Sequence, residues 1–412
     1  MLSSVLAQAM APHTLVPALQ RKCRHLPKQT SKLPRQASSS PSSPWKILIV
    51  GAGATGSCAA FRLRRLLGKS SRIVLWEKAR GPGGRMSTNR QDLNGASLRA
   101  DMGAQYVSMD ANRPNSSEVM KMLVESGTCH EISPDLISGT PERQRASGWK
   151  HFAGVGGVND ALKRMLDESG AEVRYKTRLA SLDLIDGLWQ ARPFKASAER
   201  FHAVLLAVPG RGVGGDNLNK LGGTWEQRLT QLQNKQLRMV QHDARWSIAI
   251  FFTSECRDAC EEYFGPSLLE KTVDDGTLHL LCYQSRKAAH VGGGSPAPGV
   301  VIVAHSTIEW AKRHARAGGR DKRVVNELLE HTCATLGLRS GTKQIVQASK
   351  VITWKQCQVT QAIPADPVTG PCLVGKDSPP LVLAGDYFSD SSFQGCLESG
   401  FAASEALAAR LE

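Results

Sequence analysis

Short apolar runs separated by polar or glycine-rich turns are the most regular pattern in the chain. Residues 46–50 and 72–76 have the length and composition of buried strands, and residues 57–67 carry apolar side chains at helical spacing. A strand, a glycine turn, a helix and a second strand within about 30 residues form a βαβ unit. The pattern therefore predicts a parallel sheet that begins at residue 46.

Later segments extend the alternation of strands and helices. Residues 158–168 predict an amphipathic helix, 172–175 and 203–208 predict strands, and 381–384 and 396–411 predict a short strand followed by a C-terminal helix. We expect these elements to belong to the same parallel sheet as residues 46–50 and 72–76, although they are far apart in the sequence.

The middle of the chain, residues 210–349, has a different pattern. Its predicted strands, 247–252, 278–283 and 300–305, are separated by long polar or glycine-rich connections. That arrangement predicts a second domain built on a mixed or antiparallel sheet.

Charge is unevenly distributed along the chain. The net charge is +15 over 412 residues, and residues 1–45 contain six basic residues, eight serines and no acidic residue. Such a start is typical of an organelle transit peptide, for a mitochondrion or a plastid, and the alternative is a basic tail of a cytoplasmic protein. No run of eighteen apolar residues occurs, so we expect no membrane-spanning helix.

The ten cysteines form no compact framework, which favours a reducing compartment. Cys256 and Cys260 lie four positions apart, but no histidine or second cysteine pair follows at zinc-site spacing. We therefore expect no metal site.

The glycine-rich turn after the first strand is the first motif with a chemical meaning. Gly51 suits a tight turn, Gly53 allows a pyrophosphate to approach the backbone, and Gly56 allows close packing of helix on strand. Glu77 ends the second strand, where a carboxylate binds ribose hydroxyls in dinucleotide-binding folds. The helix N-terminus would stabilise the pyrophosphate charge.

Further glycine motifs follow in a fixed order. Arg85 comes after two glycines and can pair with phosphate through its guanidinium group, and its position eight residues after Glu77 indicates a flavin site. Near the C-terminus, Gly385 permits close backbone approach, and Asp386 is placed to accept a hydrogen bond from a ribityl hydroxyl. A helix N-terminus near Gly395 would stabilise negative charge on a reduced flavin ring.

These motifs resemble the flavin-containing amine oxidase superfamily. The resemblance rests on VGAGATG, WEKARGPGGRMST, ADMGAQY, GVGGVNDALKRML, AVLLAVPG and AGDYFSDSSFQGCLESGFAASEAL. Within the superfamily the chain is most similar to the renalase family, through LDESGAEV, WKQCQVTQA and SSFQGCLES. The resemblance runs from residue 46 to the C-terminus and is weakest between residues 210 and 350.

The resemblance implies a flavoprotein with non-covalent FAD. The implied fold is α/β, with a discontinuous Rossmann-type FAD-binding domain and an inserted α+β substrate domain on a mixed sheet. Together with the motifs, it gives these expected cofactor contacts: Gly51, Gly53, Thr55, Gly56, Glu77, Arg85, Gln105, Tyr106, Gly385 and Asp386. The expected segments are 1–45 (disordered and targeting-like), 46–110, 151–210 and 350–412 (FAD-binding), and 111–150 and 211–349 (substrate domain).

The implied activity is that of a renalase-type oxidoreductase. Such enzymes oxidise dihydronicotinamide isomers of NAD(P)H to NAD(P)+, with hydride transfer to the flavin, O2 as the electron acceptor and release of H2O2. A dihydropyridine gives its hydride directly to the flavin, so no strong general base is needed. The net positive charge suits a dinucleotide substrate. Trp354, Tyr387 and Phe393 are the candidates for lining the substrate pocket.

Alternative functions stay open at this point. One is an amine oxidase or desaturase-like dehydrogenase of the same superfamily, in which Lys355 or Lys350 would lie near the flavin. Another is a flavoprotein-derived scaffold without turnover, against which the intact glycine motif argues. A nucleic-acid binder is disfavoured, because the basic stretch 312–323 lacks interleaved aromatic residues and is interpreted as a solvated helical face. Single histidines such as His242, His279 and His305 are interpreted as structural.

Overall fold

A computed structural model describes residues 45–93, 95–138, 148–210, 218–292, 299–338 and 342–411. The predicted targeting-like segment therefore lies, apart from Trp45, outside the described residues. The strands are β1 (Lys46–Val50), β2 (Arg72–Trp76), β3 (Thr88–Leu93), β4 (Ala96–Asp101), β5 (Val107–Asp110), β6 (Cys129–Ile132), β7 (Trp149–Gly154), β8 (Glu172–Arg174), β9 (Leu179–Ile185), β10 (Leu188–Pro193), β11 (Glu199–Phe201), β12 (Ala203–Leu206), β13 (Gln241–His242), β14 (Arg245–Phe252), β15 (Glu270–Thr272), β16 (Leu278–Tyr283), β17 (Val300–Ser306), β18 (Val346–Trp354), β19 (Val359–Gln361), β20 (Cys372–Val374) and β21 (Leu381–Ala384). The helices are α1 (Ala54–Leu67), α2 (Pro114–Glu125), α3 (Asp160–Ser169), α4 (Gln231–Met239), α5 (Arg257–Phe264), α6 (Gln284–Gly292), α7 (Ile308–Arg313), α8 (Lys322–Thr335), α9 (Thr342–Ile345) and α10 (Phe393–Ala408). Among these helices, none combines the length and apolar character that crossing a bilayer requires.

The first sheet has the strand order β20-β21-β12-β1-β2-β8, parallel except for β20 at one edge. Side chains alternate between its faces with a period of two. Ile47 and Ile49 of β1 pack in the same core as residues of α1 and α10, while Leu48 and Val50 pack with the three-stranded sheet β9–β11. Both faces are thus covered, which explains why the strands are uniformly apolar.

The second large sheet has the order β15-β16-β17-β14-β18, and all its pairings are antiparallel. The fold is α/β, with the mixed sheet formed by strands before residue 207 and after residue 371, and the antiparallel sheet formed by the region inserted between them. On β14, Ile248 and Ile250 face the core that contains α5, α7 and α8. Ala249 and Phe251 face β4 instead. Leu280 and Trp354 of this sheet pack on the side that faces β4.

Several predicted bounds agree with the structure, and others differ at helix starts. The strands at 46–50, 72–76, 278–283 and 381–384 are confirmed. The first helix begins at Ala54 rather than residue 57, because the glycine turn leads into it without a linker. The C-terminal helix begins at Phe393 rather than residue 396, because the Ser392 hydroxyl caps it by accepting from the backbone N–H of Gly395 at 3.0 Å.

The interpretation of residues 312–323 as one helical face is wrong. Helix α7 ends at Arg313 and helix α8 begins at Lys322. Gly318 and Gly319 interrupt the helical pattern, and Asp321 starts α8 as its N-cap, with its carboxylate accepting from the backbone N–H groups of the first turn. The basic side chains therefore lie on two helix ends and the loop between them.

Candidate active site

The turn between β1 and α1 uses its three glycines in different ways. A Cβ on Gly51, whose φ is +105°, would lie 2.4 Å from the carbonyl oxygen of Ala207. A Cβ on Gly56 would lie 1.9 Å from the carbonyl oxygen of Gly51. Gly53 is the N-cap of α1, and a Cβ there would meet no protein atom within 4 Å. Gly51 and Gly56 therefore allow the chain to pack on itself, while Gly53 leaves open space in front of the helix N-terminus.

Glu77 holds the backbone around this turn in place through two hydrogen bonds. Its buried carboxylate accepts a hydrogen bond from the backbone N–H of Ala52 at 2.8 Å and another from that of Ala79 at 2.7 Å. These contacts connect the glycine turn to the chain that leaves β2. A carboxylate oxygen carries two lone pairs, so both oxygens keep capacity for ribose hydroxyl groups.

Arg85 and Asp386 form a bidentate ion pair in the wall of a large cavity. The guanidinium donates to both carboxylate oxygens, at 2.6 and 2.7 Å, and also to the carbonyl oxygen of Cys357 at 2.8 Å. Burial opposes ionisation of Asp386, but the adjacent Arg85 charge outweighs it and holds the pKa of Asp386 below its ordinary value. Each group thus neutralises the charge of the other, and both side chains line the cavity where the cofactor contacts are expected.

A single cavity of about 1360 Å³ joins these features to the antiparallel sheet. Its volume exceeds the roughly 300–1,000 Å³ that is usual for small-molecule pockets. At one end it is lined by Gly53 and Glu77, and at the other by side chains from β14–β18 and their neighbours. The polar and aromatic side chains at that second end include Gln105, Tyr106, Arg245, Glu270, Thr272, His279, His305, Thr353 and Trp354.

Gln105 is held rigidly at the second end by a buried network. Its amide nitrogen donates to the carbonyl oxygens of Asp101 and Gly103, at 2.7 and 2.9 Å. The buried ammonium of Lys287 donates to the Asp101 carboxylate at 2.8 Å and to the carbonyl oxygen of Gln105 at 2.9 Å. Gln284 donates to the side-chain oxygen of Gln105. The network compensates the charges of Lys287 and Asp101 and fixes the amide plane of Gln105.

His305 and Glu270 are two buried ionisable groups in the same part of the cavity wall. Burial and nearby positive charges lower the pKa of His305 to about 3, so its imidazole is neutral at physiological pH. Its Nε2 lies 3.3 Å from the amide nitrogen of Gln105. Burial raises the pKa of Glu270 to about 7. Both groups can therefore contact a ligand in their uncharged forms.

The structure gathers nearly all of the expected cofactor residues around this cavity. Those that line it are Gly51, Gly53, Thr55, Glu77, Arg85, Gln105, Tyr106, Gly385 and Asp386. Gly56 does not line it and packs behind the turn, against Gly51.

Of the expected pocket residues, Trp354 and Phe393 line the cavity and Tyr387 does not. Tyr387 is a correction to the sequence analysis. Its ring is fully buried in the core beside the first sheet, 4.6 Å from the ring centroid of Phe388, because the chain turns inward after Gly385. Lys355 also lines the cavity, whereas Lys350 does not.

The sequence analysis did not identify several residues that form or support the second end of the cavity. Glu270 begins a three-residue strand with no motif around it, and Lys287 and Gln284 lie on α6, far from any glycine turn. His279 and His305 were interpreted as structural, yet both line the cavity. The one available signal was an isolated acidic residue, Glu270, next to an apolar pair at the start of a strand.

The observed geometry fits the ADP half of FAD. The open space at Gly53 lies at the N-terminus of a fourteen-residue helix, where free N–H groups and the helix dipole attract a pyrophosphate. Glu77 also lines this end of the cavity, at the position where a carboxylate can bind a ribose. The remaining length of the cavity has room for a flavin ring and for a substrate beyond it.

Comparisons with known proteins agree with this geometry. Residues 49–123 match the family model of an NAD(P)-binding Rossmann-like domain. Renalase of Mus musculus is 27% identical over 370 residues, which cover 88% of this chain and 98% of that protein.

Solved structures with the same fold are also found. One is assigned as a protoporphyrinogen oxidase from Exiguobacterium sp. 255-15, with a TM-score of 0.57 and 12% identity over 89% of this chain and 99% of that one. Another is wild-type putrescine oxidase bound to putrescine, with a TM-score of 0.54 and 12% identity over the same shares. At this identity the structural neighbours establish the fold.

Proposed function

We propose that this chain, an FAD-dependent oxidoreductase related to renalase within the flavin-containing amine oxidase superfamily, oxidises dihydronicotinamide isomers of NAD(P)H. The substrate would lose a hydride to the flavin and leave as NAD(P)+. The two electrons and one proton of that hydride, together with one further proton from water, would then convert O2 to H2O2. FAD supplies the hydride acceptor, and the protein supplies binding, orientation and electrostatics.

The observation that carries the proposal is the continuity of the cavity from Gly53 to Trp354. A cavity that holds one dinucleotide along the glycine turn and still extends to the antiparallel sheet has room for a second, substrate-sized ring. The amide of Gln105 is fixed by its own network, and neutral His305 lies against it, so neither side chain places a permanent charge there. Such a wall suits a neutral dihydropyridine ring, which donates its hydride without prior removal of a proton.

We assign the residues of this chain separate roles in binding the cofactor and in positioning the substrate end of the cavity. The turn at Gly53 binds the pyrophosphate, and Glu77 binds the adenosine ribose. The Arg85–Asp386 pair joins the first and last segments of the nucleotide-binding half, which keeps the cavity wall in place. Trp354 donates from its indole N–H to the carbonyl oxygen of Met102 at 3.2 Å, so its ring is held at the substrate end.

The second candidate is an amine oxidase. Lys355 in the cavity wall favours it, because the sequence analysis expected a lysine near the flavin in some relatives. A scaffold without turnover is the third, and it predicts that no electron donor reduces the bound flavin.

The deciding experiment uses the full chain, purified without added cofactor. Its visible spectrum is recorded, and the protein is then mixed anaerobically with dihydronicotinamide isomers and, separately, with simple amines. We expect a yellow protein that the isomers bleach rapidly and amines do not. Bleaching by amines alone would assign it to the amine oxidases, and bleaching by neither would favour the scaffold. A colourless protein that does not take up FAD contradicts all three.

A further inference from the structure

Glu270 has an unusual position for a carboxyl group. It begins strand β15, and its backbone is fixed on both sides by pairing with Cys282 of β16 and by an isolated bridge to Ile137. The residue is only 4% exposed, yet it lines the large cavity. Because its backbone is paired on both sides, the position of Glu270 and the direction of its Cβ at the cavity wall are fixed.

The carboxyl group of Glu270 lacks the partners that such burial normally requires. Among the described residues its one side-chain hydrogen bond is to the Cys282 thiol, with Sγ 3.7 Å from Oε2. A thiol is a weak donor, and buried carboxylates are ordinarily paired or strongly hydrogen-bonded. The ammonium of Lys287 lies near enough to oppose the burial effect on the pKa of Glu270, but its hydrogen bonds go to Asp101 and Gln105. The acceptor capacity of Glu270 is therefore left for a ligand.

The surroundings of Glu270 bear on the kind of ligand. Lys287 is paired with Asp101, Arg245 with Asp243 and His279 with Asp274, so these neighbouring basic groups already have acidic partners. Burial raises the pKa of Glu270 to about 7, and a neutral N–H donor can hydrogen-bond to a carboxyl oxygen in either ionisation state, whereas an ammonium group needs the ionised form. A primary carboxamide has two such hydrogens in one plane.

We infer that Glu270 is a specificity-determining residue that accepts a hydrogen bond from the carboxamide N–H2 group of the substrate's nicotinamide ring. The inference rests on the proposed function and deepens it, since it names the group by which the ring is recognised. It assigns Glu270 to binding, and hydride transfer itself does not pass through it.

The test compares a dihydronicotinamide substrate with an analogue in which a methyl ketone replaces the carboxamide. The analogue keeps the carbonyl oxygen but has no N–H donor. We expect wild-type protein to prefer the carboxamide by about tenfold to a hundredfold in kcat/KM, because the analogue leaves a buried acceptor unpaired. The variant Glu270→Leu should reduce that ratio to about one. Glu270→Gln, which keeps an acceptor oxygen, should retain most of the preference.

The ratio separates recognition from a structural role. If Glu270→Leu weakens both substrates equally, or if wild-type protein does not distinguish them, the inference is wrong. Bound flavin in each variant, read from the visible spectrum, verifies folding, and Glu270→Gln provides a second, conservative variant.

A binding measurement distinguishes failure of the inference from failure of the proposed function. NAD+ and its 3-acetylpyridine analogue are titrated into the oxidised holoprotein by calorimetry. Tighter binding of NAD+ that is lost in Glu270→Leu supports the inference even if no dihydronicotinamide reduces the flavin, which would overturn the proposed function alone. Equal binding of both dinucleotides, or binding of neither, contradicts the role of Glu270.

Discussion

Arg85 and Asp386 lie 301 positions apart in the sequence and meet through two hydrogen bonds of 2.6 and 2.7 Å. Arg85 comes from the turn after β2, and Asp386 from the turn after β21. The pair therefore joins the first and last segments of the nucleotide-binding half at the cavity wall. Asp386 is 2% exposed, so its charge depends on Arg85 for compensation.

Removing the arginine should destabilise the protein strongly. We expect Arg85→Ala to lower the free energy of unfolding by about 3–5 kcal/mol, because it leaves the Asp386 carboxylate buried without a counter-charge. FAD should also be lost more readily. Urea denaturation of wild-type protein, Arg85→Ala, Asp386→Asn and the double variant forms a double-mutant cycle. Additive effects of the two single changes would contradict a direct coupling.

Two glycines of the same turn provide a matched pair of variants. Gly53→Ala should change the stability of the FAD-free protein by at most about 1 kcal/mol, the range of an N-cap exchange, because the new methyl group meets no protein atom. Its affinity for FAD should fall by about an order of magnitude or more, because the methyl group occupies the approach of the pyrophosphate.

Gly56→Ala should behave in the opposite way. Its methyl group would lie 1.9 Å from the carbonyl oxygen of Gly51, so the fold itself should lose about 1–3 kcal/mol or more. Thermal melts without FAD and titrations with FAD distinguish the two variants. A Gly53→Ala protein that binds FAD as wild type does would place the pyrophosphate elsewhere.

Glu77→Gln should weaken both the turn and cofactor binding. Glutamine has one acceptor oxygen, so one of the N–H groups of Ala52 and Ala79 loses its partner, at a cost of about 1–3 kcal/mol. We expect about tenfold weaker FAD binding, measured by quenching of flavin fluorescence. Glu172→Gln is the control, because that exposed carboxylate pairs with arginines at the surface and should change stability by about 1 kcal/mol or less. Similar losses in both variants would contradict a specific role for Glu77.

Glu270 should make stability fall with increasing pH. Its pKa is raised to about 7 in the folded protein by burial, above its ordinary value in the unfolded chain, and Lys287 and the Cys282 thiol are the titratable groups that act on it. The stabilisation relative to Glu270→Gln is therefore fully present below about pH 4.5 and is lost as the pH rises to about 7. The loss should amount to about 3 kcal/mol. Unfolding curves of both proteins at pH 4.5, 6 and 8 measure it, and parallel pH profiles would contradict a raised pKa.

Residues 1–45 contain six basic residues and no acidic residue, and this composition predicts organelle import. A fusion of residues 1–45 to a fluorescent protein should enter mitochondria or plastids, because import signals are basic and poor in acidic residues. Replacing the six basic residues by glutamine should leave the fusion in the cytosol. An intact segment that also leaves it there would favour the basic-tail alternative.

The local sequence pattern was sufficient to predict the nucleotide-binding βαβ unit. The run 46–50, the turn with Gly51, Gly53 and Gly56, and the acid at Glu77 lie within about 30 residues, so their relative placement follows from the geometry of one βαβ unit. The resemblance to flavin-dependent oxidases rested on these segments and on further short motifs, among them ADMGAQY, GVGGVNDALKRML and AVLLAVPG, as well as on the C-terminal turn.

The local sequence pattern did not reveal which side chains from distant segments contact one another. Arg85 and Asp386 were each assigned a contact with the cofactor, and only the folded chain shows that they pair with each other. Tyr387 was expected in the pocket, but the turn after Gly385 directs its ring into the core. The signal at Glu270, a single acid next to an apolar pair, did not indicate a site, because an acid at the start of a strand is usually exposed.

The sequence by itself determined the fold class, the position of the glycine turn and the identity of the first cofactor contacts, because these depend on spacing within continuous segments. Only the tertiary structure decided which ionisable groups are buried, which charges are compensated and which side chains share the cavity. Those properties depend on desolvation and on contacts between segments up to 301 positions apart, and neither can be read from periodicity.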